Sequence, residues 1–125
     1  MRKFKFIGII LVLCFIAISC TPRQVVLTPE QEANRVYFEQ KDKHTQAVNF
    51  FTERLTKYNV WCANQEYVEA CAKVDPIWKK ANTALDTWGT VVEAKNPASG
   101  AEAIYQDELK ALKTAMLMEL PNFVW

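Results

Sequence analysis

Few side chains in this 125-residue chain are of types that do chemistry, and their spacing tests several reaction classes at once. Beyond residue 20 there is one histidine, His44, and one serine, Ser99. A Ser-His-acid site would have to join these two. Ser99 stands three residues before Glu102, the spacing of a helix capping box, and that local role accounts for it. His44 falls between Tyr37 and Val48 at the edge of an apolar stripe, where a packed or half-buried imidazole is a simpler reading than a ligand or a pH sensor. Di-iron bundles set Glu-x-x-His on facing helices, yet the residue three before His44 is Lys41. Covalent haem attachment needs Cys-x-x-Cys-His, which is absent. Met116 and Met118, at helical spacing, read as core rather than as haem ligands opposite His44. Gly89 and Gly100 are the only glycines after residue 20, so no glycine-rich phosphate loop exists. The acids Asp107-Glu108 and Glu66 with Glu69 fall on polar faces, where solvation explains them. The expectation is a protein that is not an enzyme and has no catalytic residues, metal site or bound cofactor.

The first twenty residues read as an address. MRKFK is a charged start, and the thirteen residues Phe6 to Ile18 carry no charge. As a helix they would span roughly 20 Å, short of a hydrocarbon core of about 30 Å, which favours a cleavable export signal. The run ends in Ala17-Ile18-Ser19-Cys20, which resembles the lipobox of bacterial lipoprotein precursors. That resemblance implies diacylglycerol on the Cys20 thiol, cleavage before Cys20, and acylation of the new amino terminus. Two or more acyl chains give stable membrane residence where one does not. Thr21, rather than Asp, follows the cysteine; by similarity to Gram-negative lipoprotein sorting this implies the periplasmic face of the outer membrane rather than the inner one.

Arg2, Lys3 and Lys5 belong to the signal, which leaves 12 of the 15 basic residues against all 14 acids, a net charge near −2. A near-neutral domain of about 100 residues is one small core, without the basic excess of a nucleic-acid binder. Cys14 leaves with the signal and Cys20 takes lipid, so Cys62 and Cys71 remain as a pair in an oxidising compartment, where a disulfide is the default. Cys-x-x-Cys redox sites and zinc sites need closer spacing than this pair has. On one straight helix, positions nine apart lie about 13.5 Å apart, whereas bridged Cα atoms are roughly 4.4–6.8 Å apart. A bonded pair therefore requires the chain to turn between Trp61 and Cys71.

The rest of the chain reads as helices. Residues 20–28 form a lipidated cysteine and tether, and residues 29–125 a single helical domain. Thr28, Pro29 and Gln31 make a capping box with proline at the first position. The following thirty residues, free of Gly and Pro, repeat apolar side chains at Ala33, Tyr37, Val48, Phe51, Leu55 and Tyr58. Val36, Phe38 and Phe50 widen that stripe beyond what one neighbouring helix would cover, so the helix should meet two partners or an external one. A turn at Asn59–Asn64 precedes a short helix at Gln65–Val74. Asp75-Pro76 reads as a new cap and start for a helix through Trp78, Ala81, Leu85, Trp88 and Val92. Asn96-Pro97 stops it, and the Ser99–Glu102 box opens a last helix that Pro121 ends. Short connections make successive helices antiparallel neighbours. The fold class is all-α, a small antiparallel bundle with one long helix and two or three shorter ones.

Aromatic content is the remaining signal. Phe38, Phe50, Phe123 and Trp125 are candidates for an interaction surface, since adjacent rings cannot all face one core and aromatics dominate interface hot spots. The tail Phe123-Val124-Trp125 reads either as a latch on the bundle end or as a binding peptide. The functional expectation is a non-catalytic envelope lipoprotein, anchored by the lipid on Cys20, whose helical module faces the periplasm and binds an envelope protein. The alternative is a carrier that holds a small apolar or lipidic ligand in an aromatic-lined cavity between helices.

Overall fold

The computed structural model describes residues 26–96 and 99–125. The signal segment, the lipobox with Cys20, and Pro97 lie outside these residues. Three helices follow in order: α1, Pro29–Cys62; α2, Val68–Glu93; and α3, Ala101–Glu119. A single 3₁₀ turn, Gln65–Tyr67, sits between α1 and α2. The all-α antiparallel bundle expected from the sequence is the architecture.

Helix α1 starts where its capping box places it. Thr28 Oγ1 accepts from the Gln31 amide at 3.2 Å, and Gln31 Oε1 accepts from the Thr28 amide at 3.0 Å. Glu30 and Glu32 in the first turn suit the positive end of the helix dipole. With 34 residues the helix is about 51 Å long. Its end is tied to α2 by the Cys62–Cys71 disulfide, whose Cα atoms are 6.0 Å apart. The chain turns through Ala63 and Asn64, and Asn64 Oδ1 caps the 3₁₀ turn by accepting from the Glu66 amide.

Helix α2 corrects one expectation. No break occurs at Asp75-Pro76: the helix is continuous over 26 residues with Pro76 inside it. Proline removes one hydrogen bond, that to the carbonyl of residue 72, and Ala72 lies on the exposed side of the helix. Val74 and Trp78, 0% and 3% exposed, hold the helix to the core on both sides of the proline. Asp75 is no cap. Its carboxylate accepts from the buried Tyr58 hydroxyl at 2.6 Å, and the same hydroxyl lies 2.9 Å from the Cys71 carbonyl. Burial and the adjacent carboxylate hold the Tyr58 hydroxyl well above the ordinary tyrosine range.

The start of α3 also departs from the expected box. The residue before the helix is Gly100, at φ +73°, rather than Ser99. Ser99 still serves the helix end, because its Oγ accepts from the Ala101 amide at 3.2 Å. A left-handed residue at this position suits glycine, which has no Cβ to crowd the backbone.

Pairs along α1 and α2 run antiparallel: Tyr37 with Glu93, His44 with Leu85, Phe51 with Trp78, and Tyr58 with Asp75. Trp88 with Tyr105 and Lys73 with Glu119 give the same sense for α2 and α3. Helix α2 is central and its backbone lies against both neighbours, whereas no Cα of α1 comes within 8 Å of α3. Those two helices meet only through long side chains, such as the Phe51 and Tyr105 rings 6.5 Å apart. Val74, Ala81 and Leu112 are fully buried at the centre. The segment after Pro121 folds back on this core. The Phe123 ring lies 5.6 Å from Trp61, the Trp125 ring 5.7 Å from Trp78, and Lys57 Nζ donates to the Val124 carbonyl at 3.0 Å.

Candidate functional site

The separation of α1 from α3 leaves a groove floored by α2. Near the start of α1 the walls are Ala33, Val36, Tyr37 and Gln40 on α1 and Ala101 with Glu102 on α3, over Trp88, Val91 and Val92; this part has a volume of about 580 Å³. It continues past Trp88 and Glu102 into a second stretch of about 470 Å³ between Lys43, Gln46, Ala47 and Phe50 on α1 and Tyr105, Gln106 and Leu109 on α3. Trp125 closes the far end, 6.3 Å from the Phe50 ring. From Pro29 to Phe50 the groove follows about 32 Å of α1.

The spacing of α1 explains why it offers two surfaces. Tyr37, Lys41, His44, Val48, Phe51, Leu55 and Tyr58 repeat at alternating four and three residues, and the apolar members of this strip join the core over α2. Ala33, Val36, Gln40, Lys43, Ala47 and Phe50 repeat at three and four as well, about 100° around the same helix, and these line the groove. The excess width of the stripe at Val36 and Phe50 is this second strip. The signal was there in the spacing; what was missing was the position of α3.

The mouth of the groove is held by polar contacts. Tyr37 Oη donates to Glu93 Oε2 at 3.1 Å, Lys41 Nζ donates to Tyr37 Oη at 3.3 Å, and Lys41 lies 3.7 Å from Glu93. The bond to Tyr37 and the charge of Glu93 raise Lys41 above its ordinary value. Lys95, in a left-handed conformation at φ 54°, places its ammonium 5.1 Å from the Tyr37 ring centre. The Asn96 amide donates to the Val91 carbonyl, so Lys95 occupies the helix-ending position where glycine is usual.

His44 fixes α1 against α2 just behind the groove floor. Its Nε2 is 2.9 Å from the Leu85 carbonyl, so that nitrogen carries the proton and donates. The ring stands edge-on to Trp88, 5.1 Å between centres. This approach explains Gly89. A Cβ there would come within 2.7 Å of His44 Cε1 and 2.9 Å of Nε2. Glycine at this helix-interior position leaves the space the imidazole uses.

The other singled-out residues fall in different places. Phe50 packs beneath the Arg54 guanidinium, 3.9 Å from its ring centre, and against Trp125. Phe123 and Trp125 are half-buried on the bundle end. Phe38 is apart from all three, 66% exposed and edge-on to Tyr37. Cys62 and Cys71 are bonded as expected, and Cys20 lies outside the described residues. Ser99 and His44 both have the structural contacts given above. Among the described residues no cluster of three His, Cys, Asp or Glu side chains could hold a metal ion, and no described helix is long and apolar enough to cross a membrane.

Comparison with protein families, with curated proteins and with solved structures gives no match.

Proposed function

We propose that this chain is a non-catalytic envelope lipoprotein, anchored through lipid on Cys20, whose helical module binds another envelope protein through the groove between α1 and α3. The observation that carries the binding reading is the second heptad-spaced strip on α1, against which no backbone of another described helix packs. The anchor rests on the charged start, the apolar run and the Ala17-Ile18-Ser19-Cys20 resemblance. The groove opens at the first turns of α1, the helix that follows Cys20 in the chain.

Two experiments test the two halves. Labelling with radioactive palmitate should mark the wild-type chain and vanish in Cys20→Ala, with precursor accumulating; continued labelling of the variant overturns the anchor. Ala33→Trp fills the groove from an exposed position. It should abolish co-extraction of the partner from membranes while leaving the melting temperature unchanged. Undiminished co-extraction overturns the groove as the binding surface.

The carrier reading has one observation in its favour: about 580 Å³, lined by Tyr37, Trp88 and Val92, lies within the range of small-molecule sites. A small apolar molecule retained in a native mass measurement would favour it over protein binding.

A further inference from the structure

A short apolar segment of this chain already occupies a seat toward the disulfide end of the bundle. We infer that residues 121–125 are a displaceable strap, and that the seat beneath them binds an extended Phe-x-Trp segment whether that segment is the tail or a peptide from solution. The seat consists of Phe50, Trp61 and Trp78, with Arg54, Lys57 and Lys113 around them. Phe123 meets Trp61 edge-on at 5.6 Å, and Trp125 lies 5.7 Å from Trp78 and 6.3 Å from Phe50. The Lys57 and Lys113 ammonium groups stand 5.9 Å from the Phe123 ring and 5.8 Å from the Trp125 ring. Contacts that do not involve the tail fix the rings of the seat. Trp78 packs on Phe51 at 5.3 Å and Tyr58 at 4.8 Å, Trp61 on Tyr67 at 5.0 Å, and Phe50 under the Arg54 guanidinium at 3.9 Å. The seat therefore keeps its shape when the tail leaves.

The strap is held by ring burial far more than by hydrogen bonds. Among the described residues one hydrogen bond joins it to a helix, from the exposed Lys57 to the Val124 carbonyl. Leu120, 2% exposed, anchors its base, and Pro121 has no N–H with which to continue α3. Closure also carries a cost at the same place. Among the described residues five buried side-chain polar atoms lack a hydrogen-bond partner, and four of them are here: Nε of Arg54 and the indole Nε1 of Trp61, Trp78 and Trp125. All four are donors. Seating the tail takes the Trp125 N–H out of water without supplying an acceptor, and it covers rings whose N–H groups are likewise unpaired. That cost offsets part of the gain from burying two rings. A segment so balanced opens while the helices stay folded. A seat that takes the segment within one chain also takes it from solution, less the advantage of the tether. A short flexible connection gives an effective concentration in the millimolar range, so a strap closed most of the time corresponds to a Kd in trans of about 1 mM or lower.

Two measurements on the full chain test this. In the wild type, hydrogen exchange of the Trp125 indole N–H is followed by NMR beside the backbone amides of Val74 and Leu112, both 0% exposed. The Trp125 protection factor should be at least about tenfold below those of the two amides and nearly independent of guanidinium, as local opening requires. A protection factor closer than that to the core amides means the tail leaves only when the bundle unfolds, and overturns the strap. An indole with no protection overturns the seat. The second measurement uses Phe123→Ala with Trp125→Ala, its folding checked by circular dichroism and by the Cys62–Cys71 bond. It is titrated with the peptide Leu-Pro-Asn-Phe-Val-Trp, blocked at both ends. The expected Kd is about 1 mM or lower, with the Trp61 and Trp78 indole signals shifted, and binding to the wild type is weaker by about tenfold or more because its seat is filled. No binding well above that concentration overturns the seat, as does equal binding to the wild type or to a peptide with both rings replaced by alanine. If the double variant does not fold, the wild type is titrated instead, and the peptide must speed exchange of the Trp125 indole; unchanged exchange overturns the proposal.

Discussion

Gly89→Ala should destabilise this protein, although on an ordinary helix surface the same change stabilises. In a helix interior alanine exceeds glycine by about 1 kcal/mol. Here the added methyl would sit 2.7 Å from His44 Cε1, inside the contact distance of roughly 3.5 Å. Two responses are open. If the helices shift to make room, overpacking costs about 1–3 kcal/mol. If the imidazole swings out, its bond to the Leu85 carbonyl and its edge contact with Trp88 are lost, at about 1 kcal/mol and about 0.5–1.5 kcal/mol. Set against the propensity gain, the imidazole's departure leaves a net loss of about 0.5–1.5 kcal/mol and overpacking one of up to about 2 kcal/mol. For a domain this size a loss of about 1 kcal/mol lowers the melting temperature by roughly 4–8 °C. The assay is thermal and guanidinium unfolding of four proteins: wild type, Gly89→Ala, His44→Ala and the double variant. With the imidazole gone the methyl has space, so Gly89→Ala should become neutral or stabilising in the His44→Ala background, and the cycle should show coupling. A Gly89→Ala variant that melts higher than wild type with His44 present refutes the reasoning.

Three further outcomes follow from named contacts. The Tyr58 and Tyr105 hydroxyls are both raised, Tyr58 by burial and Asp75 and Tyr105 by burial alone. Their contribution is complete below the unfolded value of about 10 and is lost as pH rises above it, so stability should fall above about pH 10. Phenolate absorbance from these two should appear only with loss of helical circular dichroism, and absorbance rising first would contradict the burial. Removing the disulfide as Cys62→Ala with Cys71→Ala should cost about 2.7 kcal/mol in the chain-entropy account, read as a lower guanidinium midpoint. Deleting Phe123 to Trp125 removes the ring contacts with Trp61, Trp78 and Phe50 and should lower the melting temperature by several degrees; an unchanged value would mean the tail contributes nothing to the fold.

What the sequence disclosed and what it withheld divide along the range of the interactions. The start of α1 was legible because Thr28 and Gln31 bond to each other's backbone three residues away. The turn at Ala63 and Asn64 was legible because two cysteines nine apart cannot bond on a straight helix. Pro76 misled, since whether a proline ends a helix depends on what holds the flanking turns, and here Val74, Trp78 and the Tyr58–Asp75 bond hold them. The role of Gly89 is not legible locally for the same reason: it is set by His44, 45 positions away in the chain. The groove was half visible. Val36 and Phe50 showed that α1 had more apolar width than one neighbour needs, but no local feature says that α3 packs on α2 and stays clear of α1.

The groove between α1 and α3 is proposed to hold a segment of another envelope protein. Native mass spectrometry of the full chain, extracted in a mild detergent from the cells that make it, measures its occupant directly. The expected species is the acylated chain with one additional polypeptide in fixed ratio, lost in Ala33→Trp. The acylated chain alone, or with only a small molecule bound, would contradict it.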